Sequence, residues 1–176
     1  MQTSEEIKNI LFENIFFIKK DVLFKILEKN NLINSFEIKK IYPDTIEVKI
    51  KKTEFLGITN IDGKFLIIGS NGKLIDNKNT KKNLPYVFGK VNPDNFIEFI
   101  TIIEKSKFDL DTVKEFYFFP SGRWDLKTKD NKLFKLPSEN LELKLNLIYN
   151  ILKNEELNNI KIIDLRFSDK IIFTNE

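Results

Sequence analysis

Alternating apolar and polar residues predict one strand of the chain with particular clarity. Ile46, Val48 and Ile50 alternate with charged residues, so one face of this strand can pack while the other meets water. The Tyr-Pro-Asp-Thr sequence at 42–45 favours a turn just before it. Phe36 and Ile38 indicate an earlier strand, and the two strands are therefore expected to form a hairpin.

Two helices are predicted ahead of this hairpin. Thr3 and Glu6 have the spacing of a capping box at the start of the first helix. Asp21 is expected to cap the second helix, which should stop near Asn30. The order α-α-β-β is thus predicted up to Thr53, where the pattern changes. The apolar stripes of these two helices are Ile7, Ile10 and Leu11, and then Val22, Leu23, Ile26 and Leu27.

The rest of the chain predicts a mixed β-sheet with helices packed on it. Asn71-Gly72 between two apolar runs favours a tight hairpin with positive φ at both positions. Asn92-Pro93-Asp94 predicts one helix start and Ser138 caps a further helix, while the lysine-rich segment Asp76–Asn83 is predicted to be a solvated loop. Strands are predicted at Lys64–Ile68, Lys73–Ile75, Glu115–Phe119, Arg123–Thr128, Lys132–Leu136, Ile160–Phe167 and Lys170–Thr174. The buried helix stripes are predicted to be Phe96, Ile97, Ile100 and Ile103, and then Leu141, Leu145, Ile148 and Leu152.

Composition excludes several kinds of chemistry. The 176 residues include no His and no Cys, which excludes thiolate nucleophiles, imidazole bases, and metal sites built on sulfur or imidazole. Carboxylate pairs remain possible, as in glycoside hydrolysis, but the spacing of the aspartates favours no pair. We therefore predict no enzymatic activity, no cofactor and no metal. The aspartates considered were Asp62, Asp76, Asp125, Asp130 and Asp164.

The charge balance argues against a nucleic-acid partner. The chain has 29 basic and 26 acidic residues, and only Arg123 and Arg166 are arginines. Arginine is the preferred side chain for bidentate contacts to phosphates and bases, so lysines on a solvated surface explain the basic excess better. No stretch reaches the roughly 20 apolar residues that would cross a bilayer.

The two arginines stand out against the lysine background. Arg123 lies in Gly-Arg-Trp-Asp and Arg166 lies in Asp-Leu-Arg-Phe. A guanidinium suggests a planar, bidentate contact that an ammonium does not make. For Arg123, an ion pair within the chain and a contact with a partner are equally compatible with the sequence. For Arg166 we favour a partner contact, because the last strand is expected to lie at a sheet edge.

The order of these motifs resembles the FtsQ/DivIB family of bacterial cell-division proteins. The resemblance implies an α+β chain, with a small POTRA domain at 1–53 that lacks its first strand and an FtsQ-type β domain at 54–176. Members of this family carry a transmembrane helix before these domains, and this chain is expected to be truncated there. The resemblance rests on the segments at 3–7, 14–18 and 41–50, and on Asn71-Gly72-Lys73-Leu74, Leu84-Pro85, Gly122-Arg123-Trp124-Asp125-Leu126 and Ile163-Asp164-Leu165-Arg166-Phe167.

The resemblance implies a non-enzymatic scaffold that joins FtsB and FtsL to the division machinery and so to septal peptidoglycan synthesis. It implies an inner-membrane protein with a single transmembrane helix and with this part in the periplasm. FtsB is expected to add a strand to the last β-strand, with Arg166 contacting an acidic residue of FtsB. The family usually has Tyr at the place of Phe167 and Gly at the place of Lys170. The implied partner-binding residues are Arg166, Phe167, Lys170, Ile171, Ile172, Phe173 and Thr174.

An alternative interpretation is a POTRA-containing module of outer-membrane protein assembly or two-partner secretion. Such a module would handle unfolded strands and would be followed by further POTRA copies or by a long barrel. Neither follows in this sequence, and the division scaffold is the preferred hypothesis.

Overall fold

The computed structural model describes residues 20–77, 83–157 and 159–175. The helix predicted to start at Thr3 and the central part of the predicted loop, residues 78–82, lie outside the described residues.

The described chain begins with a helix and a two-stranded sheet. Helix α1 (Lys20–Glu28) is followed by strands β1 (Ile33–Ile41) and β2 (Thr45–Lys52), which pair antiparallel. The predicted hairpin is therefore confirmed. The prediction that Asp21 caps the helix is wrong, because Lys20 is already helical and Asp21 lies in the first turn.

A nine-stranded mixed sheet forms the larger part of the described structure. The sequence predicted a mixed sheet in this part of the chain. Its strand order is β11-β10-β9-β8-β7-β6-β3-β4-β5, which places β11 and β5 at the two edges. Three pairs are parallel, namely β3 with β6, β6 with β7, and β9 with β10. The strands are β3 (Phe55–Ile61), β4 (Lys64–Gly69), β5 (Leu74–Asp76), β6 (Tyr86–Phe88), β7 (Val113–Phe118), β8 (Trp124–Thr128), β9 (Leu133–Lys135), β10 (Ile162–Asp164) and β11 (Ile172–Thr174).

Two helices connect parallel neighbours in this sheet. Helix α2 (Pro93–Lys105) lies between β6 and β7 along the chain, and α3 (Leu141–Leu152) lies between β9 and β10. Such crossovers are what parallel strands require. Asn92 caps α2 as predicted and accepts a hydrogen bond from the Asp94 backbone N–H at 3.1 Å. The prediction that Ser138 caps α3 is wrong: Asn140 precedes the helix with φ of 56°.

Both helices cover the same face of the sheet. Phe99 of α2 stacks on Trp124 of β8, with ring centroids 4.8 Å apart and planes 1° from parallel. The same buried cluster includes Ile148 of α3 and Ile163 of β10. Residues that alternate with Trp124 and Ile163, such as Asp125, therefore point to the opposite face. This opposite side is called the open face below.

Several strands differ from their predicted limits. The predicted strand Ile160–Phe167 is shorter in the structure, so Arg166 lies beyond the end of β10 rather than within the penultimate strand. The predicted last strand, Lys170–Thr174, begins instead at Ile172. The predicted Asn71-Gly72 turn is only partly right, since Gly72 has positive φ but Asn71 does not. Of the apolar stripe predicted for α2, Ile97 is half-buried, and Phe99 takes the buried place.

Side-chain amides join the small sheet to the large one. The Asn71 Nδ2 donates to the carbonyl oxygens of Asn31 at 3.0 Å and of Ile33 at 2.9 Å. In return, the Asn31 Nδ2 donates to the carbonyl oxygen of Leu74 at 2.8 Å. The β4–β5 hairpin therefore holds the chain just before β1 and fixes the two sheets against each other.

Candidate partner-binding edge

The last strand lies at one edge of the sheet and has a single neighbour there. β11 pairs antiparallel with β10 in the register Ile162↔Thr174, Ile163↔Phe173 and Asp164↔Ile172. The other side of β11 meets no strand in the described part of the chain. The edge position that the sequence predicted for the last strand is therefore what the structure has.

The hydrogen-bond pattern determines which backbone groups face outward. The Leu165 N–H donates to Lys135 of β9 at 2.9 Å, so alternate residues of β10, including Ile163, direct their backbone groups toward β9. The backbone groups of Ile162 and Asp164 then face β11, and those of their partners Thr174 and Ile172 face β10. The Thr174 carbonyl oxygen does face β10, because it accepts a hydrogen bond from the Lys161 N–H at 3.1 Å. Phe173 therefore directs its backbone N–H and C=O away from the sheet.

The side chains of the edge strand lie on both faces. Phe173 is opposite Ile163 and so lies on the helix-covered face, where Ile171 packs against the buried cluster. Ile172 and Thr174 lie on the open face beside Asp164. Ile172 and Phe173 are each 40% exposed. The edge thus offers apolar side chains as well as backbone groups.

Arg166 contacts an aspartate of its own chain. Its Nε lies 2.8 Å from Asp164 Oδ1 and 3.0 Å from Oδ2, and its Nη2 lies 2.5 Å from Oδ2. The hydrogen bond from this guanidinium holds the pKa of Asp164 below its usual value. The Nη1 nitrogen takes no part in these contacts, and the side chain is 37% exposed.

Phe167 and Lys170 flank the turn that leads into β11. The Lys170 Nζ lies 5.0 Å from the centroid of the Phe167 ring, within cation–π range. The Lys144 Nζ of α3 donates to the carbonyl oxygen of Phe167 at 3.0 Å. Sequence reasoning missed Lys144, and no local signal could reveal it because 23 positions separate the two residues.

The second arginine lies on the same open face and has a similar arrangement. The Arg123 Nε is 3.3 Å from Asp125 Oδ1, and its guanidinium lies 4.2 Å from the centroid of the Phe119 ring. Asp125 is opposite Lys135, which in turn is opposite Asp164, so a row of alternating charge runs across β8, β9 and β10. Burial raises the pKa of Asp125, and the Arg123 charge opposes that rise.

The seven residues predicted for the site lie in one turn and the strand that follows it. Residues 166, 167 and 170 form the turn, residue 171 anchors it, and residues 172–174 form the edge strand. No group of acidic side chains in the described ranges is arranged to hold a metal ion. Within the same ranges, the helices are too short and too polar to cross a membrane.

Comparisons with known proteins agree on one family. Residues 57–166 match the C-terminal part of the cell division protein FtsQ/DivIB, so that the match ends at Arg166 and β11 follows it. FtsQ of Rhizobium radiobacter is 26% identical over 144 residues, covering 78% of this chain and 68% of that protein. FtsQ of Rickettsia typhi is 27% identical over 162 residues, covering 89% of this chain and 60% of that protein.

Among solved structures, a match is the major extracytoplasmic domain of the trans isomer of the bacterial cell division protein DivIB from Geobacillus stearothermophilus. The identity is 15%, the TM-score is 0.41, and the match covers 54% of this chain and 87% of that one.

Proposed function

This chain belongs to the FtsQ/DivIB family of cell division proteins, and we propose that it binds a division partner by adding the partner's strand to β11. Members of this family are division proteins without enzymatic activity. The chain spans between 45% and 68% of the length of the curated FtsQ proteins it matches, so its role in the whole protein is part of the proposal.

The free edge of β11 is the observation that carries this proposal. Within the described residues, the backbone N–H and C=O of Phe173 have no partner, so they can pair with a strand laid alongside β11. In strand addition, such backbone bonds supply affinity and the flanking side chains supply specificity. Ile172 and Phe173 offer one apolar contact on each face of the enlarged sheet, and together they would select the register of the incoming strand.

The proposed partner is FtsB, in complex with FtsL. Arg166 would contact an acidic residue of FtsB through the side of its guanidinium that holds Nη1. Asp164 engages Nε and Nη2, which leaves the terminal pair of nitrogens as a second fork for a carboxylate. Asp164 would then orient the guanidinium rather than compete with the partner.

The proposed location is the periplasmic side of the bacterial inner membrane. A transmembrane helix preceding this chain would anchor it, and residues 1–53 would form a POTRA domain. In this arrangement the protein would connect FtsB and FtsL to septal peptidoglycan synthesis without carrying out chemistry itself.

A titration against an FtsB peptide tests the proposal. The double variant Arg166→Glu with Phe173→Lys should weaken binding at least tenfold, because it reverses the charge of the fork and places an ammonium at the edge. Lys51→Glu is the control: it reverses one charge, as Arg166→Glu does, but on β2 of the small sheet. Unchanged affinity in the double variant, or an equal loss in the control, would refute the proposed edge.

A further inference from the structure

A basic groove crosses the open face, and its lining includes no residue of β11. Two adjoining cavities of about 340 and 300 Å³ share Asn131 as a lining residue. Together they extend over the sheet from β6 to β10. The tyrosines and lysines that line this groove are Tyr86, Lys114, Tyr117, Lys127, Lys129 and Lys161.

Two tyrosines, Tyr86 and Tyr117, form aromatic walls of the groove, and the ring of Phe88 stacks between them without lining either cavity. Tyr86 is 43% exposed, and its ring stacks on Phe88 at 6.2 Å between centroids. Phe88 in turn stacks on Tyr117 at 5.2 Å. In monomeric proteins, a contiguous patch of exposed aromatic rings usually marks an interaction site.

Charge in the groove is predominantly positive. Four lysines line the two cavities, whereas the acidic residue among the lining side chains, Asp125, is 4% exposed and faces Arg123. Glu115 lies 3.4 Å from the Lys114 Nζ and 3.9 Å from the Lys127 Nζ, so it offsets one of these charges. Glu115 also accepts the Tyr117 hydroxyl, and that hydrogen bond lowers the pKa of Glu115. The Lys129 and Lys161 side chains extend the excess positive charge along the rim.

We propose that this basic groove binds an extended acidic peptide in which glutamate or aspartate alternates with apolar side chains. The aromatic walls suit apolar side chains, and the lysines suit carboxylates. Four strand spacings separate β6 from β10, about 19 Å, which an extended segment of about six residues would span. The ligand would be a segment of a partner protein, and its site would be separate from the free edge of β11.

The test uses a fluorescein-labelled ten-residue peptide of alternating Glu and Leu, titrated with the whole chain and followed by fluorescence anisotropy. Lys127→Gln with Lys161→Gln should weaken binding at least tenfold, and Tyr86→Ser should weaken it at least threefold. The control pair, Lys51→Gln with Lys52→Gln on β2, removes the same charge elsewhere and should stay within twofold. Phe173→Lys should also stay within twofold, which separates this groove from the β11 edge.

Three outcomes would overturn the proposal. The first is the absence of saturable binding of the Glu-Leu peptide. The second is an equal loss in the control pair. The third is binding of heparin as tightly as the peptide with no effect of Tyr86→Ser, since this would indicate a general polyanion surface and not a peptide groove.

Discussion

Arg166 holds the carboxylate of Asp164, two residues before it, with its Nε 2.8 Å from one oxygen and 3.0 Å from the other. The contact spans the end of β10, and the Arg166 backbone N–H also donates to Asp164 Oδ1 at 3.1 Å. This guanidinium is therefore oriented before any partner arrives, and Asp164 does not engage its Nη1. Preorganisation of this kind lowers the entropy cost of binding.

Replacing Asp164 by Asn should lower stability in a pH-dependent way. The hydrogen bond from Arg166 depresses the pKa of Asp164, so its stabilisation is present above the unfolded-state value near 4. That stabilisation is lost as the pH falls through the depressed folded-state value. We expect Asp164→Asn to cost about 1 kcal/mol at pH 7 and progressively less as the pH falls below the unfolded-state value, measured by urea unfolding. A cost that does not change with pH would contradict this assignment.

Replacing Asp125 by Asn should not lower stability at pH 7, in contrast to the replacement of Asp164. Burial raises the pKa of Asp125 despite the nearby Arg123, and Oδ1 of Asp125 is buried without a hydrogen-bond partner. The folded state then binds the proton more tightly, so this group makes stability fall as the pH rises above about 4. Asp125→Asn should remove that fall and leave the chain at least as stable as the wild type at pH 7. A loss above about 1 kcal/mol would show that the ion pair with Arg123 is net stabilising.

Two glycines with positive φ should differ in their tolerance of alanine. A Cβ at Gly89 would lie 2.2 Å from the Phe118 carbonyl oxygen, and its φ is +102°. Gly122 has φ of +78° but open space around a Cβ. We expect Gly89→Ala to cost about 3 kcal/mol or more and Gly122→Ala about 1 kcal/mol, by urea unfolding. Equal costs would mean that the contact with Phe118 relaxes freely.

The contact between the two sheets should depend on the amide donor of Asn71. Asn71→Asp keeps the shape but cannot donate to the Asn31 and Ile33 carbonyl oxygens, so we expect a loss of about 2 kcal/mol at pH 7. Asn60 is a matched control, because its Oδ1 accepts from the Gly63 N–H, and an aspartate would keep that bond. Asn60→Asp should therefore cost under about 0.5 kcal/mol. Equal losses in both variants would exclude a special role for Asn71.

Local signals in the sequence identified the elements that carry strong periodicity or caps. The alternation at Ile46, Val48 and Ile50 predicted β2, and Asn92 predicted the start of α2. Strands β3 and β6 were not predicted: β6 has three residues, and a bulge near Gly57 interrupts the pairing of β3. Their parallel pairing depends on contacts distant in sequence, which no short window contains.

The candidate site was predictable in position but not in its contacts. The end of the chain indicated an edge strand, and that is where β11 lies. The sequence favoured a partner contact for Arg166, and only three-dimensional geometry identifies Asp164 as its contact within the chain. The helix α3 begins after Asn140 in the αL conformation and not after Ser138, and no residue-type signal in the sequence distinguishes the two positions.

The central claim is that β11 receives a partner strand at its free edge, and amide hydrogen exchange at Phe173 tests it most directly. Residue-resolved NMR exchange should show the Phe173 N–H exchanging fast in the free chain, while those of Ile172 and Thr174 are protected by β10. Saturation with the FtsB peptide should slow exchange at Phe173 at least tenfold and change the other two much less. Unchanged exchange at Phe173 in the saturated complex would contradict strand addition at this edge.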